Sequence, residues 1–163
     1  MREPDDVEGA TDPIDRARLD QLMRESVQGF TLYCGFTPTL LEPGRCEAAI
    51  DVRPHHLQQD GYVHAGVIST LADHTAGYAA YSLAPPGTRV LSVEFKINLL
   101  APGDAVRLVC RANVIKPGRR ILVVESDVFG IAAGQETRVA KALLTMAAVP
   151  AERLAPARHS PRT

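Results

Sequence analysis

The sequence predicts an α+β domain in which a curved antiparallel sheet of about six strands wraps one long central helix. Three observations carry that prediction. Several segments place apolar side chains at every second position, the period of a half-buried strand. Short turns bearing Pro or Gly join them, and short turns favour antiparallel neighbours. Between the second and third of these segments lies a long stretch that is almost free of charge and lacks the alternation. Such a helix needs burial, and strands with one apolar face need something to cover.

The elements follow in chain order. Residues 1–12 have no hydrophobic period and are expected to form a disordered tail. The domain is expected over residues 13–150, and residues 151–163, rich in Pro, Arg and Ala, form a second loose tail. Pro13 opens a helical stripe that runs to about Val27 through Ile14, Leu19, Leu22 and Met23, and Gly29 ends it. Phe30 to Leu41 and Cys46 to Val52 read as strands around the turn Glu42-Pro43-Gly44. Arg53 to Val63 is polar and reads as a loop. Ala65 to Leu83 is a helix of about five turns, stopped by Pro85-Pro86-Gly87. Strands then follow at Arg89 to Leu100, Ala105 to Lys116, Arg120 to Gly130 and Thr137 to Val149. In the first of them Val93, Phe95, Ile97 and Leu99 form the apolar face.

Bulk composition excludes several classes. A length of 163 residues suits one domain. Lys plus Arg (18) nearly balance Asp plus Glu (19), which argues against a nucleic-acid surface. Cys34, Cys46 and Cys110 show no metal or redox spacing, so reduced thiols in a cytoplasm are expected. The acidic start is unlike a signal peptide, and no apolar stretch reads as a membrane span.

The long helix is wrong for a surface helix, which carries a polar face. Its polar side chains are small or aromatic, and Asp73 is its only formal charge. It should be buried nearly all round. Its many small residues call for a close neighbour, either a second copy of the helix or the sheet backbone. A carboxylate there is costly unless paired, and partial desolvation makes a carboxylate a better proton acceptor near neutrality. The plain alternative is that Asp73 accepts bonds from nearby hydroxyls and only organises the core.

His55, His56, His64 and His74 cluster in and after the loop, but their spacing does not suit a metal. Gly61-Tyr62-Val63-His64-Ala65-Gly66 leads into the helix, whose first N–H groups lack intrahelical partners at the positive end of the dipole. The N–H of Ala65 or of Gly66 could therefore hold an oxyanion. Asp73 lies roughly 12 Å further along the axis. Two chains packed antiparallel would bring both groups to one carbonyl more readily than one chain does.

His56-Leu57-Gln58, Gly61, His64-Ala65-Gly66 and Leu71-Ala72-Asp73 resemble the signature of the hotdog-fold thioesterases, of the phenylacetate-degradation (PaaI) and 4-hydroxybenzoyl-CoA type. The strand Val93 to Pro102 resembles them too, and the likeness covers about Phe30 to Val149. The resemblance implies an acyl-CoA thioesterase in which Asp73 is nucleophile or general base and the Ala65 N–H polarises the carbonyl. Gln58 would place the carbonyl or the water, and His64 would shape the turn. His56 and Gly66 fall in the substrate-binding loop. It also implies sites shared across a dimer, dimers that pair into tetramers, and no metal or organic cofactor. Many members carry two glycines after the histidine; Ala65-Gly66 departs from this and adds a methyl group beside the carbonyl. Coenzyme A phosphates need cations, and Arg119 and Arg120, with Arg107, Arg111 and Lys116, are the candidates. A hydratase using His64 and Asp73 as acid and base, and a non-catalytic acyl-CoA-binding protein, are the rival readings.

Overall fold

Alternation becomes a six-stranded antiparallel sheet in the computed structural model of the chain, which describes residues 15–154. The strands are β1 (Phe36–Glu42), β2 (Arg45–Asp51), β3 (Thr88–Leu99), β4 (Arg107–Lys116), β5 (Ile121–Ala132) and β6 (Gln135–Pro150), in the order β1-β2-β4-β5-β6-β3. Helices α1 (Arg16–Glu25) and α2 (Phe30–Tyr33) precede them, and α3 (Ala65–Tyr81) follows β2. The architecture is the expected one: the sheet curves around α3. Register shifts at Pro38/Leu40, Ser92/Glu94, Val114/Lys116 and Val128/Phe129 interrupt the ladders, and such bulges bend a sheet.

Alanine lets α3 come close to the strands. Ala72, Ala76, Ala79 and Ala80 are fully buried with Ile68 and Leu71. They meet Ile50 of β2, Leu108, Cys110 and Ala112 of β4, Val124 of β5 and Leu144 of β6 in one core. The buried Ser126 hydroxyl of β5 donates to the Ala72 carbonyl at 3.2 Å. Of the two neighbours the small residues allowed, the sheet backbone is the one present here. Beyond Gly66 no α3 side chain is exposed, though Ser69, Thr70, Asp73, His74, Gly77 and Tyr78 are only half-buried. Burial is thus one-sided in a single chain.

Three expectations need correction. Phe30–Tyr33 is a helical turn rather than strand, because Gly29 and Gly35 both take positive φ and Thr31 donates to the Ser26 carbonyl. Pro54–His56 forms a 3₁₀ turn within the predicted loop. On β3 the expected buried face is largely outside: Val93 is 60%, Phe95 42% and Leu99 53% exposed, and only Val90 and Ile97 pack on the core. β3 is an edge strand, and its bulge at Val93 offsets the alternation. The first expected tail lies outside the described residues. Of the second, Ala151–Arg153 is a 3₁₀ turn and residues 155–163 lie outside.

Burial also governs the cysteines. It pushes the thiols of Cys46 and Cys110 up to about 12 and raises Cys34. All three are buried and unpaired. Native protein at pH 7.5 is therefore expected to leave a thiol-reactive dye unchanged, and urea-unfolded protein to react at all three sites. Prompt labelling of the native chain would contradict this.

Candidate active site

The loop before α3 is a small hairpin. The His64 N–H donates to the His56 carbonyl at 2.8 Å, Leu57 bridges Val63, and the Gln58 N–H donates to the Tyr62 carbonyl at 2.8 Å. Gly61 closes the turn with φ +85° and donates to the Gln58 carbonyl at 3.0 Å, a conformation that a side chain would strain. Gly103 braces the hairpin: its carbonyl accepts from Val63 N–H at 2.9 Å, and a Cβ on it would lie 3.0 Å from the Val63 Cβ.

His64 is the N-cap of α3. Its Nδ1 accepts the Gly66 N–H at 2.9 Å, which puts the proton of the neutral ring on Nε2. The cap distinguishes the two N–H groups at the helix entrance. Gly66 N–H is taken; Ala65 N–H has no partner among the described residues. It stands at the positive end of the helix, and its residue is half-buried. The Gln58 amide is also without a partner among the described residues.

His56 lies underneath. It is 2% exposed, and its Nδ1 accepts the Arg53 N–H at 3.0 Å. Its Nε2 faces the Cys34 carbonyl without hydrogen-bond geometry. In the chain as folded it braces the hairpin from beneath. Burial lowers its pKa, with His55 and Arg53 adding to the shift.

Asp73 sits two turns along α3, on the half-buried side. Ser92 of β3 donates to its Oδ1 at 2.6 Å. Sequence reasoning missed Ser92, which carries no signal of its own; the bulge at Val93, which sets the side-chain direction of the strand there, exists only in the assembled sheet. The two residues open on a cleft of about 380 Å³ lined by His74, Gly77, Tyr78, Tyr81, Arg89 and Val90, with Glu25 and Gln28 opposite. His74 is otherwise engaged. Its Nε2 meets the Ser26 carbonyl at 2.7 Å, its ring packs edge-on against Phe36, and burial lowers its pKa. Burial and the nearby Glu25 carboxylate push Tyr78 up to about 12.

The candidate residues thus fall into two separate groups in one chain: the hairpin with Gln58, His64 and Ala65, and the pair Asp73–Ser92. No hydrogen bond joins them among the described residues. Arg107 and Arg111 are held by Asp51 and Glu136. Arg119 and Arg120 are exposed in the β4–β5 turn, without ion pairs among the described residues. Among those residues no three His, Cys, Asp or Glu side chains gather as a metal site would require.

Residues 60–131 match the thioesterase superfamily. A solved thioesterase family protein from Silicibacter pomeroyi is 36% identical, covers 81% of this chain and 98% of its own, and superposes with a TM-score of 0.78. The chain belongs to the thioesterase superfamily. Its fold is also that of the Escherichia coli PaaI protein from the phenylacetic acid degradation operon, at 21% identity, TM-score 0.71, and 82% and 92% of the two chains. A putative esterase of Saccharolobus solfataricus is 31% identical over 87 residues, which is 53% of this chain and 61% of that relative, less than two thirds of its length. The hotdog fold and the thioester-hydrolase family expected from the helix entrance and Asp73 are thus the ones found.

The buried histidines set a pH dependence. A histidine whose pKa is lowered in the folded state takes up more protons when unfolded, so stability falls as pH drops through the ordinary histidine range. Thermal denaturation is expected to show a Tm that falls from pH 7.5 to pH 5.5. The fall should be smaller in His56→Asn, whose Oδ1 can still accept the Arg53 N–H. An equal slope in both proteins would contradict the assignment to His56.

Proposed function

We propose that this chain hydrolyses acyl-CoA thioesters to a free acid and coenzyme A. The observation that carries the reading is an unpartnered backbone donor, Ala65 N–H, on the same helix as one cleft-facing carboxylate, Asp73. The carbonyl oxygen sits at Ala65 N–H, where positive charge is already in place for the developing oxyanion. Asp73 either attacks the carbonyl carbon, expelling the coenzyme A thiolate and leaving an anhydride that water then hydrolyses, or takes a proton from the attacking water and passes it to the departing thiolate; in both cases water supplies the new oxygen. Ser92 holds Asp73 by its Oδ1, leaving Oδ2 for the reaction. The unpartnered Gln58 amide is suited to orient the carbonyl or the water. His64 acts indirectly, by consuming the Gly66 N–H and shaping the turn. That use of Nδ1 weighs against a hydratase, which would need His64 as an acid or base beside Asp73.

The reaction needs no cofactor beyond water. It does need a second chain, because Ala65 and Asp73 are separated by roughly 12 Å of helical rise. β3 offers the contact: a twelve-residue edge strand with Leu91, Val93, Phe95, Leu99 and Leu100 exposed. Such an edge invites pairing with another. A dimer formed there, or a pair of such dimers, completes each site from the hairpin of one chain and Asp73 of the other. Arg119 and Arg120 are available for coenzyme A phosphates. The reduced, buried thiols suit a cytoplasmic location, and no described helix is long and apolar enough to cross a membrane.

Asp73→Asn is expected to keep its fold by circular dichroism and lose at least about 10²-fold in thiol release from acyl-CoA. Ser92→Ala should lose about tenfold, the worth of one charge-assisted hydrogen bond. Near-wild-type turnover in Asp73→Asn removes the proposal. Separately, Phe95→Asp should elute as a monomer in size-exclusion chromatography and lose turnover with its partner; an active monomer would contradict the shared site.

A further inference from the structure

The cleft beside Asp73 runs away from the helix entrance, toward the C-terminal end of α3. Tyr78 and Tyr81 form one wall, with ring centroids 5.9 Å apart. Arg89 and Val90 of β3 line it too, with Glu25 and Gln28. Arg89 differs from the ion-paired arginines of this chain. Arg16, Arg45, Arg107, Arg111 and Arg138 each face a carboxylate, whereas Arg89 has no ion pair among the described residues. Its Nη1 instead donates to the Tyr81 hydroxyl oxygen at 2.6 Å.

That bond determines what the end of the cleft can accept. The Tyr81 oxygen accepts a hydrogen bond from Arg89, so its own O–H is free to donate. The remaining guanidinium N–H groups are donors and nothing else. A ligand group at this end must therefore be an acceptor, and a carboxylate matches a guanidinium best. The opposing group is Glu25, whose Oε1 already accepts from Gln21 Nε2 at 2.6 Å. The spacing suits an acyl group. Asp73 and Tyr81 are roughly 12 Å apart by helical rise, and Ser92 and Arg89 about 10 Å apart along the strand. That is the span of a medium-length acyl chain.

We infer that this cleft takes the acyl group and that Arg89, with the Tyr81 hydroxyl, recognises a carboxylate at its far end, so that the substrate class is the mono-CoA thioester of a dicarboxylic acid. The inference rests on Asp73 being the hydrolytic carboxylate, and it adds a specificity-determining residue that the helix entrance and Asp73 do not supply.

The test is a matched pair, adipyl-CoA and hexanoyl-CoA, which differ only in the terminal carboxylate. The full chain should turn over adipyl-CoA with a kcat/KM about tenfold higher. Calorimetric titration of Asp73→Asn, which slows turnover, should show the same preference in Kd. In Arg89→Gln and in Asp73→Asn/Arg89→Gln the two ratios should fall to near one, while Tm stays close to that of the parent. Glu25→Gln should widen the preference. Equal handling of the pair by the parent protein, or a preference that survives Arg89→Gln, overturns the inference. A preference for adipyl-CoA in binding without hydrolysis of either thioester supports the inference about the cleft and removes only the proposed hydrolysis.

Discussion

The close approach of α3 to the sheet is the constraint from which the rest of the structure follows. Alanine at four buried positions brings the helix axis near the strands, and each larger side chain there would push it outward. Because the sheet curves around the helix, one side of α3 is sealed and the other is left facing the first helices and the edge strand. Asp73 falls on that second side, where it meets Ser92. The cost of placing a carboxylate on such a helix is limited by that bond and by partial access to water. The helix entrance is fixed by the same packing, since Gly103 in the β3–β4 loop presses on Val63 just before it.

A division of labour among the loop groups explains why the hairpin carries two histidines with different roles. His56 is sealed beneath it and ties the 3₁₀ turn to the approach of α3. His64 is exposed and caps the helix. By occupying the Gly66 N–H it leaves that of Ala65 as the donor without a partner among the described residues.

Much of this was legible in the residues. Period-two patterning and Pro-Gly turns located five of the strands to within a few positions, and the uncharged stretch from Ala65 identified the central helix. Phe30 to Tyr33 misled because an apolar run of four residues fits a strand as well as a helical turn, and only the flanking left-handed glycines separate the two. The exposed face of β3 could not be read from alternation, since the bulge at Val93 and the edge position are properties of the assembled sheet. Asp73 stood out as a charge where none was expected; Ser92 did not, because a serine on a strand carries no signal until its neighbour across the fold is known. Likewise, the choice of Ala65 over Gly66 needed the direction of the His64 ring.

The bulge at Val93 divides β3 into two independent reading frames. Before it, Arg89, Val90 and Ser92 line the cleft beside Asp73 while Leu91 is exposed. After it, Phe95 and Leu99 are exposed while Ile97 packs on the core. One inserted residue thus lets a cleft lining and an apolar edge share a single strand without sharing one alternation.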